Sequence, residues 1–221
     1  KFCGRDNATW ELTSLINDNL YVTLYGRSGI GKTSLLNAGV FPKLRAMGYL
    51  PVVVRFSQML DDFRETPAAY LVYQIQKELA PNEDDVTAKG VLELCDWNEI
   101  DALWTYFSTH KFEINGKATY PAIVLDQFEE IFNVRKTVIT AGENDMVELL
   151  MKQLYSLTDD NKSYPDCYHE ANNFRLIFSI REDYLYTLED CIDKYFLTKY
   201  KYNRYRLKAP SKEESTEIIT G

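Results

Sequence analysis

The chain has 221 residues, of which 45% are hydrophobic, and a formal net charge of −8. This length and apolar content predict one α/β domain with a substantial core, and the negative charge argues against a general nucleic-acid-binding surface. The four cysteines form no Cys-x-x-Cys pair and only two histidines are present, which argues against structural zinc, and no apolar run approaches the ~20 residues of a membrane span.

Five apolar runs predict buried strands, and helix-like segments separate them. The strands are expected over 20–25, 50–56, 120–126, 174–180 and 202–207. Helices are expected over 6–16, from 34 to a point before Pro42, and over 67–80, 97–110, 142–157, 181–195 and from Ser211 onwards. Apolar strands that alternate with helices indicate a mostly parallel sheet covered on both faces. Such sheets bind ligands beyond the carboxyl ends of their strands.

A complete G-x-x-x-x-G-K-[ST] phosphate loop joins the first strand to the next helix. It comprises Gly26, Arg27, Ser28, Gly29, Ile30, Gly31, Lys32 and Thr33, and Ser34 continues into the helix. The glycines allow backbone N–H groups to surround a phosphate, and the helix N-terminus adds partial positive charge. We expect Lys32 to reach the β- and γ-phosphates of a nucleotide and the Thr33 hydroxyl to bind Mg²⁺.

The third apolar strand ends in Asp126, and Glu129 and Glu130 follow three and four positions later. Beside a phosphate loop, Asp126 is predicted to bind Mg²⁺ directly or through water. Glu129 or Glu130 would then orient the water that attacks the γ-phosphate, and Glu129 is preferred because it stays nearer the strand end. The alternative interpretation is a turn cap at Asp126 followed by a solvated acidic face.

The fourth apolar strand leads into Arg181. A guanidinium at this position could make a bidentate contact with the γ-phosphate and sense its presence. The alternative is a structural ion pair with Glu182, Asp183 or an acid that follows Asp126.

Together these motifs resemble the NTPase domain of the STAND class (signal-transduction ATPases with numerous domains), in its bacterial novel STAND branch. The resemblance rests on residues 2–5, 26–39, 41–45, 125–132, 180–183 and 205–207. These segments span nearly the whole chain, and the Asp-Gln-Phe-Glu-Glu string after a buried strand is quite specific.

The resemblance implies a phosphate-loop NTPase fold, a three-layer sandwich with a mostly parallel central sheet similar to STAND and AAA+ proteins, over residues 1–221. It implies that Gly4 and Arg5 lie near the adenine and ribose, and that Arg181 occupies a sensor position. Family members are usually large cytosolic proteins, so a cytoplasmic location and an origin in a longer multidomain protein are expected, with an effector domain before this module and sensor repeats after it.

By the same resemblance, the chain is expected to rest with ADP, exchange it for ATP, hydrolyse ATP slowly and control homo-oligomer assembly in signalling or antiphage defence. The residues themselves leave a turnover ATPase open as an alternative, such as a motor, a transporter subunit or a nucleic-acid-associated enzyme. No Leu-Ser-Gly-Gly-Gln loop or basic groove supports it. Adenine is favoured over guanine because no Asn-Lys-x-Asp motif is present.

Overall fold

A five-stranded parallel sheet forms the centre of the molecule. The computed structural model describes residues 4–60, 63, 66–82, 89–132, 145–157, 174–195 and 203–211. The strands of the sheet are Tyr21–Gly26 (β1), Tyr49–Val54 (β2), Tyr120–Asp126 (β5), Arg175–Arg181 (β6) and Arg204–Arg206 (β7). They lie in the order β2-β5-β6-β1-β7, and all neighbouring pairs are parallel. All five predicted strands are therefore present.

A small hairpin lies outside this sheet. Its strands are Glu113–Ile114 (β3) and Lys117–Ala118 (β4), which pair antiparallel. Asn115 and Gly116, with φ of 52° and 73°, make the turn between these strands.

Helices cover both faces of the sheet, as the sequence predicts. They are Asp6–Asp18 (α1), Lys32–Ser34 (α2), Phe41–Ala46 (α3), Pro67–Leu79 (α4), Ala102–Thr109 (α5), Met146–Ser156 (α6) and Leu185–Tyr195 (α7). Residues of α1 and α3 share one apolar cluster with β1, whereas residues of α4 to α7 belong to a larger cluster on the other face. The three-layer α/β architecture is thus confirmed. Within the described ranges, no helix is long and apolar enough to cross a membrane.

Several helix boundaries differ from the predicted ones. α5 begins at Ala102 rather than near Trp97, and α7 begins at Leu185 because Arg181 pairs with Gly26 in the sheet. The polar segment 158–173 and the acidic segment 81–90 are typical of loops. The first of them, most of the second and the helix predicted from Ser211 onwards lie outside the described residues.

The helix after the phosphate loop does not end before Pro42. Between α2 and α3, residues Leu35–Val40 form a π-helical segment, in which the Phe41 N–H donates to the Leu36 carbonyl five residues earlier. Pro42 then occupies the first turn of α3, where the lack of a proline N–H costs little. The wider π turn therefore carries the chain past a residue that would otherwise end the helix.

Gly39 allows this π-helical segment to pack closely against α1. A Cβ added at Gly39 would lie 2.5 Å from Thr9 Oγ1 and 3.1 Å from Thr9 Cγ2. Gly39→Ala is therefore expected to lower the free energy of unfolding by about 1–3 kcal/mol through overpacking, measured by thermal or denaturant unfolding. Gly90→Ala is the matched control because its Cβ would meet nothing within 4 Å.

The Thr9→Ala/Gly39→Ala double variant should recover most of this loss, because it removes both clashing Thr9 atoms. Equal stability of Gly39→Ala and Gly90→Ala would contradict the close packing described.

Candidate functional site: a phosphate loop at the carboxyl edge of the sheet

Strand register brings the predicted motifs to one edge of the sheet. Gly26, the first residue of the phosphate loop, pairs with Arg181, and Asp126 pairs with Ser179 on the other side of the same strand. β6 thus lies between the strand that leads into the loop and the strand that ends in Asp126. All three sequence motifs end on this edge, where parallel α/β sheets bind ligands.

The phosphate loop has the backbone that its glycines permit. Gly29 and Gly31 have φ of 72° and 94°, in the left-handed region that favours glycine. The side chains of Arg27 and Ser28 are exposed. Lys32 Nζ donates to the Gly26 carbonyl at 3.1 Å and to the Arg27 carbonyl at 3.4 Å. The lysine therefore lies against the loop itself, at the start of α2.

Lys32 lies in an environment of mixed charge. Burial lowers the pKa of its ammonium group, while the carboxylates of Glu129 and Asp126 act in the opposite direction. The nearby Arg181 also lowers this pKa, though less than burial does. Residues from the loop, from the Asp126 segment and from the end of β6 therefore act on one another electrostatically.

Asp126 is the centre of a buried polar cluster. Its side chain is 2% exposed. The Ser179 hydroxyl donates to Oδ1 at 3.0 Å, and the Thr33 hydroxyl lies 3.2 Å from Oδ2 and 3.4 Å from Oδ1. The structure therefore brings together the two residues predicted to hold Mg²⁺.

A hydroxyl and a carboxylate are suitable ligands for Mg²⁺, which is a hard cation that prefers oxygen. Mg²⁺ usually binds one or two protein carboxylates and completes its coordination with waters and substrate phosphates. No larger group of histidine, cysteine and acidic side chains suited to a metal occurs among the described residues. The residues present thus fit a metal held jointly by protein and nucleotide, rather than a cage made by protein alone.

A left-handed residue turns the chain sharply after Asp126. Gln127 has φ of 55° and ψ of 44°, and the next residues, Phe128–Glu130, form a 3₁₀ turn. Non-glycine residues seldom adopt this conformation, and where they do it often serves a functional site. The turn directs Glu129 back towards the sheet, where its Oε2 accepts the backbone N–H of Arg181 at 3.2 Å.

The two acids after Asp126 have different surroundings. Glu129 is 6% exposed, whereas Glu130 is only partly buried. Glu129 is also among the groups that raise the pKa of Lys32. This arrangement supports Glu129 as the water-orienting residue.

Gln127→Val is expected to lower the free energy of unfolding by about 1–2 kcal/mol, because a β-branched residue is strained in the left-handed region. Gln127→Gly is the matched control, since glycine adopts this φ without strain. The Gln127 side chain is exposed, so neither variant removes core packing. Chemical denaturation of both variants measures the difference, and equal stability would show that the turn stores no strain.

Arg181 makes the structural ion pair that its sequence left open. Its Nε and Nη2 donate to the two carboxylate oxygens of Asp183 at 3.1 and 2.6 Å, and its guanidinium lies 5.6 Å from the Tyr184 ring centroid. The side chain is 43% exposed. A role in sensing the γ-phosphate would therefore require Arg181 to leave Asp183, and it stays a prediction.

Arg5 connects the start of α1 to the phosphate loop. It is buried, and its Nη1 donates to the Lys208 carbonyl at 2.8 Å and its Nη2 to the Ile30 carbonyl at 3.4 Å. The preceding Gly4 has φ of 74°. Arg5 thus holds the loop against the segment that follows β7. Its expected position near the adenine and ribose of a nucleotide stays a prediction.

Sequence reasoning missed two residues of the cluster, Arg55 and Ser179. Arg55 directly follows β2, and its Nε and Nη2 lie 3.1 and 2.9 Å from Asp126 Oδ2. Both residues lie near the carboxyl ends of predicted apolar strands, and this position is the one feature of the sequence that could have indicated a place in the site. Finding their partner requires the strand order, because only the sheet order shows that β5 lies between β2 and β6.

Comparisons with known proteins give a family for the chain and a similar fold. The family model described as "Novel STAND NTPase 1" matches residues 1–221. Among solved structures, the chain is similar to "the walker-type atpase paby2304 of pyrococcus abyssi", with a TM-score of 0.53 and 14% sequence identity. That similarity covers 97% of this chain and 56% of the other, and at this identity it shows the fold alone. A comparison with curated proteins found no match.

Proposed function

We propose, because the chain belongs to the novel STAND NTPase 1 family, that it binds ATP or ADP with Mg²⁺ and acts as a nucleotide-dependent switch that hydrolyses ATP slowly. The observation that carries this proposal is the convergence of Lys32, Thr33, Asp126 and Glu129 at one edge of the sheet. Membership of this family is itself sufficient to identify the chain as an NTPase module.

In this proposal the phosphate loop, residues 26–34, holds the phosphates through its backbone N–H groups and through Lys32. The Thr33 hydroxyl and Asp126 would hold Mg²⁺, which would neutralise charge that develops on the β- and γ-phosphates. The contact between Thr33 and Asp126 supports this pairing.

Glu129 accepts a proton from the attacking water, or orients that water, in the proposed hydrolysis. Its contact with the Arg181 N–H holds the carboxylate near the end of β6, where it also acts on Lys32. Arg181 would exchange its contact with Asp183 for one with the γ-phosphate and thereby distinguish ATP from ADP. Glu130, which is only partly buried, would have no direct catalytic role.

We propose that Gly4 and Arg5 border the adenine and ribose, since Arg5 already contacts Ile30 of the loop. As in the family that the motifs resemble, the nucleotide state would govern homo-oligomer assembly within a longer cytoplasmic protein that also carries effector and sensor domains. Signalling or antiphage defence is the corresponding biological role. The Pyrococcus structure is longer than this chain, and we carry only its fold across.

The switch is tested by identifying the nucleotide that copurifies with the protein. Freshly purified protein is denatured without added nucleotide, and the released compound is identified by ion-exchange chromatography. ADP at about one molecule per chain is expected for a switch that rests with ADP. An empty site with fast, Mg²⁺-dependent ATP turnover would instead indicate a turnover ATPase and contradict the switch.

A further inference from the structure

Arg55 holds the carboxylate that the proposed metal site needs. The preceding residue, Val54, pairs with Leu125 in the sheet, so Arg55 stands beside Asp126 at the carboxyl edge. Two guanidinium nitrogens, Nε and Nη2, donate to the same oxygen, Asp126 Oδ2, at 3.1 and 2.9 Å. In this ion pair the Asp126 side chain is 2% exposed and the Arg55 side chain is 31% exposed.

The contacts of Asp126 leave little room for a second cation. Ser179 donates to Oδ1, and Thr33 lies within 3.4 Å of both oxygens. Arg55 places a full positive charge directly against Oδ2, the oxygen nearer to Thr33. A divalent cation shared by Thr33 and Asp126 would meet a like charge at that oxygen, and repulsion at such distances is substantial in a partly buried site.

The backbone next to Arg55 is fixed, while its side chain has a route to solvent. Phe56 is buried, with its ring centroid 5.9 Å from that of Phe128 and 6.4 Å from that of Tyr70. Phe128 lies between Asp126 and Glu129 in sequence, so the two segments are packed as one unit. Because Arg55 itself is about one-third exposed, it can leave Asp126 by rotation of its side chain alone.

We propose that Arg55 is a positioning residue that competes with the divalent cation for Asp126, and so sets the Mg²⁺ concentration at which the nucleotide is held. In the metal-free state its guanidinium neutralises the buried carboxylate, whose uncompensated charge would be costly. When the metal-nucleotide complex binds, Arg55 leaves Oδ2 and becomes solvated. This inference rests on the proposed function, because it requires a Mg²⁺-nucleotide complex at the loop.

The test compares the ADP affinity of nucleotide-stripped protein with and without Mg²⁺, by calorimetry or with a fluorescent ADP analogue. In Arg55→Met, the ratio of the two affinities is expected to rise by about tenfold over wild type, the order expected for loss of one partly exposed charge-assisted pair. Removal of a positive charge affects free ADP and its Mg²⁺ complex to different extents, so the Asp126→Asn background described below is needed to separate this general effect from competition for Asp126. Arg45→Met, at an exposed position on α3, is the matched control and should leave the ratio unchanged.

If Arg55 and the cation compete for Asp126, the rise in the affinity ratio caused by Arg55→Met should disappear in an Asp126→Asn background, because no carboxylate is left to compete for. An unchanged or lower ratio in Arg55→Met would overturn the inference, as would the same rise in the Asp126→Asn background. If Arg55→Met does not fold, Arg55→Gln removes the charge and keeps a hydrogen-bond donor, and the same ratio is measured. Failure of the proposed function would look different, because wild-type ADP binding would then be absent or independent of Mg²⁺.

Discussion

Lys32→Ala is expected to weaken ADP binding by about a hundredfold or more, beyond detection at micromolar protein. The reason is that the Lys32 ammonium group lies against the loop: its Nζ is within 3.4 Å of two loop carbonyls, those of Gly26 and Arg27. Charge-assisted hydrogen bonds to phosphate are among the strongest that a side chain makes, and alanine supplies neither charge nor donor. Equilibrium titration of nucleotide-stripped protein with ADP and Mg²⁺ measures the loss.

Lys43→Ala is the matched control for this variant. Lys43 lies exposed on α3, so its removal changes the net charge equally without altering the loop. Unfolding curves of both variants establish that the fold is kept. Micromolar ADP affinity retained in Lys32→Ala would contradict the assignment of residues 26–34 as the phosphate site.

Glu129→Gln is expected to preserve ATP binding and to slow hydrolysis by about 10²–10⁴-fold, the usual contribution of a general base. The amide oxygen of glutamine can still accept the Arg181 N–H, which Glu129 Oε2 now accepts at 3.2 Å. The local backbone should therefore be kept while the basic group is lost. Single-turnover hydrolysis with excess protein measures the chemical step separately from product release.

Glu130→Gln is the internal control, because it makes the same chemical change one residue away. Glu130 is partly exposed, so hydrolysis by this variant should stay within about twofold of wild type, as for other surface substitutions. If Glu130→Gln is the slow variant and Glu129→Gln is not, the choice of water-orienting residue is wrong.

The sequence was sufficient for the sheet because its strands are buried on both faces. The prediction for β5 matches the observed strand, Tyr120–Asp126, residue for residue, since a continuous apolar run bounded by a charged residue has clear ends. The phosphate loop was equally clear, because its glycines are required by backbone conformation. The wrong helix end at Pro42 has a physical cause, since a π turn has no distinct sequence pattern and admits the proline beyond it.

The site was predicted only in part because it depends on strand order and local strain. The sequence predicts Asp126 beside the phosphate loop, and its carboxylate lies 3.2 Å from the Thr33 hydroxyl. Its contacts with Arg55 and Ser179 depend on β5 lying between β2 and β6. The residues of one strand do not indicate which strands flank it in the sheet, so these contacts could not be predicted. The choice of Glu129 was uncertain for a related reason, since the left-handed conformation of Gln127 determines which acid faces the loop.

The proposed adenine-nucleotide site is tested most directly by calorimetric titration of nucleotide-stripped wild-type protein with ADP, performed with Mg²⁺ and again with a chelator. We expect saturable binding of one ADP per chain that is tighter with Mg²⁺ and that GDP does not reproduce. Absence of binding by either nucleotide, or equal affinity for ADP and GDP that does not change with Mg²⁺, would contradict an adenine-nucleotide site built on Lys32, Thr33 and Asp126.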